Sequence, residues 1–208
     1  MRLINASVSI MDNLNGREML KKIEAAGRTC YKSERLITDE SHKAFVKSII
    51  QRGHESVLEH VSFTVKFICD RGVSHEIVRH RIASYSQEST RYCNYSKGEF
   101  SGELTFILPQ FFKDGLSREM FEIACKNAED SYFELLSLGF MPEQARAVLP
   151  NCLKTEVIMT ANVREWRHFL KLRTSKAAHP QIRELAIQLL NQLLEIVPEL
   201  FEDIKPLS

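Results

Sequence analysis

The run Val61-Ser62-Phe63-Thr64-Val65-Lys66-Phe67-Ile68-Cys69 alternates apolar with mostly polar side chains before Asp70-Arg71-Gly72 interrupts it. A period of two places Val61, Phe63, Val65, Phe67 and Cys69 on one face, which predicts a half-buried strand. A turn is expected at Asp70–Gly72, followed by a helix from Val73 to about Arg81. Upstream, Leu3 to Ile10 reads as extended, residues 17–26 carry helical spacing, and Thr38 opens a second helix that Gly53 stops. Downstream, Thr105–Pro109 is a short strand, and Ser117–Leu138 is a long helix closed by Gly139. A helix over Pro142–Leu149, a strand over Lys154–Thr160, and helices over 162–173 and 180–197 complete the pattern, with Pro198 ending the last. Helices and a few antiparallel strands, without regular βαβ alternation, predict an α+β fold. The expectation is one domain over residues 1–208, with a small, mainly antiparallel sheet flanked by helices.

Composition narrows the function. The 208 residues carry a formal net charge of +1, which argues against a general nucleic-acid coat. Lys plus Arg (28) nearly equals Asp plus Glu (27), so any basic cluster is local. Five cysteines (Cys30, Cys69, Cys93, Cys125 and Cys152) show no paired spacing, which predicts reduced thiols in a cytoplasmic protein. No basic-then-apolar leader pattern is present, and no apolar run approaches the ~20 residues of a membrane span.

The basic cluster sits just after the opening segment, in Arg79-His80-Arg81-Ile82-Ala83-Ser84-Tyr85-Ser86-Gln87-Glu88-Ser89-Thr90-Arg91. Guanidinium groups offer planar forks of donors and keep their charge at neutral pH. Hydroxyls and backbone N–H groups around Ser89-Thr90-Arg91 would complete an anion cradle. Neither Gly-x-Gly-x-x-Gly nor Gly-x-x-x-x-Gly-Lys-Ser/Thr occurs, so a bound nucleotide would be held by side chains.

The spacing Arg79-His80-Arg81, seven residues, Ser89, one residue, Arg91 resembles the signature of flavin-dependent thymidylate synthases. Gly53-His54-Glu55-Ser56-Val57-Leu58-Glu59-His60 is similar to the family's upstream Gly-His-Glu segment. Arg146-Ala147-Val148-Leu149-Pro150 and Asn162-Val163-Arg164 with Leu172-Arg173 look like its later motifs. The resemblance implies methylation of dUMP at carbon 5, with methylenetetrahydrofolate as carbon donor and NADPH-reduced FAD as hydride source. It also implies a homotetramer with active sites shared between chains.

Residue by residue, the resemblance gives Arg173 the catalytic role of stabilising the N3 anion of the uracil. A guanidinium placed where charge develops is electrostatic preorganisation. Glu76, Arg79, Gln87, Glu88, Ser89, Thr90, Arg91 and Arg146 are the expected dUMP contacts, together with Arg173. Ser56, Arg79, His80, Arg81, Gln87, Asn162, Arg164 and His168 are the expected FAD contacts. His54 is expected at the folate or nicotinamide approach. Ser89 is read as a binding hydroxyl, since no Ser-His-Asp order accompanies it. Cys152 opens an apolar strand and is read as core. Departures from the family pattern occur at Ser86-Gln87, Glu76 and His168.

Two rivals are weaker. A zincin helix needs histidines four apart, whereas His75 to His80 is five and His54 to His60 is six, so no metal is expected. An RNA module using Tyr85, Tyr92 and Tyr95 as stacking platforms conflicts with the near-neutral charge. Neither nucleic acid nor membrane is an expected partner.

Overall fold

The computed structural model describes residues 1–96, 102–112 and 114–205 of the expected 1–208 domain. In chain order the elements are β1 (Arg2–Ile4), β2 (Ser7–Ile10), α1 (Gly16–Thr29), α2 (Ser41–Gln51), β3 (Ser62–Asp70), α3 (Arg71–Ile77) and β4 (Ala83–Gln87). They continue with β5 (Thr105–Ile107), α4 (Gly115–Ser137), α5 (Pro142–Ala145), β6 (Lys154–Asn162), α6 (Val163–Arg173), α7 (Pro180–Ile196) and α8 (Pro198–Phe201). A mainly antiparallel sheet has the strand order β2-β3-β6-β4. A separate parallel pair, β1 with β5, sets Leu3 beside Phe106. The α+β expectation holds; the parallel pair was not foreseen, because three-residue strands carry almost no periodicity.

The described residues form two compact units, and β3, β4 and β6 contribute residues to both. The first comprises Met1–Ser7, Phe67–Arg79 and Ser86–Val157. Its core gathers Tyr95, Leu104, Phe106, Cys125, Tyr132, Ala145 and Leu153. The Glu129 carboxylate, on α4, accepts the Leu104 backbone N–H at 2.8 Å and so satisfies a buried donor.

The second unit comprises Val8–Lys66, His80–Tyr85 and Ile158–Ser208. Asn15 caps α1 by accepting from the Glu18 N–H at 3.2 Å. At Gly27 a side-chain carbon would come within 2.6 Å of the tip of the Phe45 ring, so any larger residue there would push that ring aside. Gly53 ends the α2 turn at φ +70°, a backbone state that glycine adopts without strain. Trp166 on α6 stacks on Phe63 with ring centroids 5.1 Å apart and donates its indole N–H to the Phe63 carbonyl at 3.1 Å. Each fully buried ring of this kind contributes roughly 1.5–3 kcal/mol.

The main correction falls on the segment that delivers the signature. Asp70 makes no turn; it caps α3 directly, accepting the Val73 N–H at 2.7 Å. The helix stops at Ile77 instead of Arg81, so Arg79, His80 and Arg81 lie beyond it and do not fan out at helical angles. The reason is tertiary, because His80 is drawn into buried bonds described below. Residues 83–87 then form β4, a strand that the polar sequence Ala-Ser-Tyr-Ser-Gln does not advertise.

Candidate functional site

In the first unit, β4 runs into a polar turn at residues 88–92. The Ser89 carbonyl accepts N–H groups from Tyr92 at 3.2 Å and Cys93 at 2.9 Å, while its hydroxyl accepts from the Arg91 N–H at 3.2 Å. Two cations grip the turn from the segment that follows α5: Arg146 donates to the Thr90 hydroxyl at 3.2 Å, and Lys154 donates to the Glu88 carboxylate at 2.9 Å. Glu88 also accepts from the Tyr95 hydroxyl at 3.2 Å. Burial opposes the Lys154 charge, but the Glu156 and Glu88 carboxylates outweigh it and hold the ammonium above its ordinary pKa. Gln87 donates to Ser74 at 2.9 Å and to Thr155 at 3.3 Å. Arg91 lies on the surface, 58% exposed, paired with Glu143 at 3.1 Å. Exposed pairs of this kind contribute little, so an incoming anion could replace Glu143 at small cost. Glu76 is half-buried and Arg79 is exposed in the same unit.

In the second unit, buried His80 sits between two partners. Its Nδ1 is 3.1 Å from Glu165, and its Nε2 is 3.2 Å from the Nε of Arg173. A guanidinium can only donate, so Nε2 must carry the lone pair and Nδ1 the proton. Burial, then the Arg173 and His168 charges, push the His80 pKa down to about 4, consistent with that neutral tautomer. Burial raises the Glu165 carboxyl, with His168 partly opposing. The His168 ring lies 5.5 Å from that of His80. The ligand atoms of His80, Glu165 and His168 fall within 4.8 Å of one another. The neighbouring Arg173 cation, and the use of both His80 nitrogens, oppose a metal ion there.

A cleft of about 460 Å³ opens beside this cluster, lined by Asn162, Arg164, His168, Lys171 and Ile82, with the acids Glu55 and Glu59. Asn162 caps α6, its side-chain oxygen accepting the Glu165 N–H at 2.9 Å. Arg164 reaches back to Glu59 at 2.6 Å. Arg81, Ser56 and His54 are exposed in the same unit.

The structure therefore gathers His80, Asn162, Arg164, His168 and Arg173 on or beside α6, and Gln87 to Arg91 with Arg146 around one turn. Sequence reading missed Glu165 and Lys154, which hold His80 and Glu88. Glu165 carried one faint signal, its position three residues after Asn162, in the first turn of α6.

The family described as thymidylate synthase complementing protein matches residues 12–199. The chain belongs to the flavin-dependent thymidylate synthase family. The flavin-dependent thymidylate synthase of Geobacter sulfurreducens is 38% identical over 192 residues, covering 88% of this chain and 81% of that protein. The Mycolicibacterium vanbaalenii enzyme of the same name is 37% identical over 200 residues, covering 87% and 78%. Among solved structures, a UMP/dUMP methylase from Streptomyces cacaoi bound with 5-Br dUMP superposes with a TM-score of 0.79 at 25% identity, covering 97% and 96% of the two chains.

Proposed function

We propose that this chain makes dTMP from dUMP, with methylenetetrahydrofolate as carbon donor and NADPH as the reductant of its FAD. Family membership makes it an FAD-dependent thymidylate synthase; the folate, the NADPH and the residue roles are our reading. The observation that carries it is the mounting of Arg173, whose guanidinium is fixed by a buried neutral histidine that a carboxylate in turn fixes. A cation held this way needs little reorganisation to stabilise the anion that forms when the uracil loses its N3 proton, which makes carbon 5 nucleophilic.

The donor set fits both ligands. Arg91, Arg146, Ser89 and Thr90 suit a nucleotide phosphate, with Gln87, Glu88 and Glu76 near the base and Arg79 between nucleotide and flavin. Glu88 serves mainly by holding its own turn, since its carboxylate is engaged by Lys154 and Tyr95. Arg164, Lys171, the amide of Asn162 and the apolar Ile82 line a cleft that also holds Glu55, Glu59 and Glu165; an entering diphosphate would take Arg164 and Lys171 from their carboxylate partners. Ser56, Arg81 and His168 would complete the FAD contacts, with His80 serving instead as the buried mount of Arg173, and His54 the folate or nicotinamide approach. When bound, the reduced flavin supplies the hydride. Sites shared within a homotetramer, in the cytoplasm, would explain why the FAD candidates are scattered along the chain.

The test is absorbance of the purified protein with FAD, then NADPH oxidation with and without dUMP, and a dTMP assay with methylenetetrahydrofolate. Flavin binding and folate-dependent dTMP formation are expected. A protein that binds no flavin sinks the reading.

A further inference from the structure

Two thiols in the first unit lie outside this chemistry. The sulfurs of Cys125 on α4 and Cys152, in the segment before β6, are 3.6 Å apart. Cys125 is buried, while Cys152 is partly open. We propose that Cys125 and Cys152 are a modification site, closing to an intramolecular disulfide under peroxide and loosening the turn at residues 88–92.

The link to that turn runs along the chain from Cys152 to Arg146 and Lys154, and then through their hydrogen bonds. Arg146, which holds Thr90, and Lys154, which holds Glu88, stand on either side of Cys152 in one chain segment. The backbone between them is itself anchored. The Asn151 carbonyl accepts from the Arg71 and Gly72 N–H groups, and the Cys152 carbonyl accepts from the Ile107 N–H. Bringing the sulfurs to bonding distance draws Cys152 toward α4, and the strain falls on the two flanking grips. Hydrogen bonds of this kind weaken steeply once their geometry is lost.

The thiols are unequal, which sets the order of events. Cys152 is the partly open thiol and Cys125 the buried one, so peroxide reaches Cys152 first; the contact between the two sulfurs, against burial, lowers the Cys152 pKa. The Cys152 thiolate attacks one oxygen of hydrogen peroxide, the O–O bond breaks, and sulfenic acid and hydroxide form. The Cys125 sulfur then attacks the sulfenic sulfur, the S–O bond breaks, and hydroxide leaves. Its thiol proton and the first hydroxide's protonation give two waters in all, two electrons having passed from the thiols to peroxide. A thiol reductant reverses the step.

The effect on nucleotide rests on the function proposed above, so the experiment reads the bridge separately. Full-length protein is treated with hydrogen peroxide, alkylated and peptide-mapped, and amide hydrogen exchange is followed across residues 86–93. A Cys125–Cys152 crosslink is expected, with faster exchange in that segment, both reversed by dithiothreitol and both absent from Cys125→Ser and Cys152→Ser. The affinity for dUMP should fall about tenfold in the oxidised protein. Oxidation only at Cys30 or Cys93, or a bridge that leaves exchange at 86–93 unchanged, overturns the proposal. If the reduced protein binds no dUMP, the proposed function fails, while mapping and exchange still decide this one.

Discussion

Arg173 and Arg91 both belong to motifs shared with the family, yet the chain mounts them in opposite ways. Arg173 is half-buried and bonded to an uncharged ring that Glu165 fixes from behind. Arg91 is 58% exposed and paired with a carboxylate that is itself 48% exposed. The first arrangement costs desolvation and fixes a direction; the second is loosely held and exchangeable. That difference matches the division of labour proposed for them, since activating a base demands fixed geometry, whereas capturing a phosphate demands a cation that can change partner.

The sharpest way to break the comparison is Arg173→Ala. Turnover should fall about 10²–10³-fold, the scale of removing one preorganised donor from a developing anion, with FAD binding largely kept in the absorbance titration. Survival at near the wild-type rate would refute the activation role. Arg91→Ala and Arg146→Ala should instead raise the KM for dUMP by about 10–100-fold, as loss of a charge-assisted hydrogen bond does, leaving kcat much closer to wild type. If their effects fell on kcat alone, the two mounts would not differ in role.

The supports can be tested as well. Lys154→Met strands the Glu88 carboxylate, whose side chain is only 11% exposed, beside Tyr95. Denaturant unfolding should show a loss of about 1–3 kcal/mol, the cost of an unsatisfied buried group. The smallest effect concerns acid. His80 titrates near 4 in the folded chain against 6.5 ordinarily. The unfolded chain therefore takes up a proton first, so stability should fall as pH drops from 6.5 toward 4. Glu165, raised by burial, works in the opposite sense. The melting temperature of His80→Asn should decline less steeply over that window; an unchanged slope would show that His80 does not titrate there.

What could be read beforehand follows from where the physics is local. The alternation at Val61–Cys69 and the apolar stripe of 180–197 announced β3 and α7, because their burial repeats with the period of the element. The strand at 83–87 was invisible, since Ser84, Ser86 and Gln87 are exposed and no stripe marks it. The early end of α3 was also hidden, because it depends on Glu165 and Arg173, which lie 85 and 93 residues away from His80. Arginines at family spacing pointed to the groups proposed to meet the ligands. Glu165 and Lys154, which position the groups behind them, left almost no trace in the sequence.

The cap at Asn162 commits only half of one side chain. Its oxygen is committed to the Glu165 N–H, which fixes the amide's orientation and leaves only the NH₂ to face a ligand. Asn162→Asp replaces that NH₂ with an oxygen of nearly the same shape, and aspartate caps helices as well as asparagine does. The exchange should spare the melting temperature while turning a donor into a negative acceptor at the cleft wall. A single-atom edit thus separates folding from recognition, and a flavin titration of that variant would read the recognition alone.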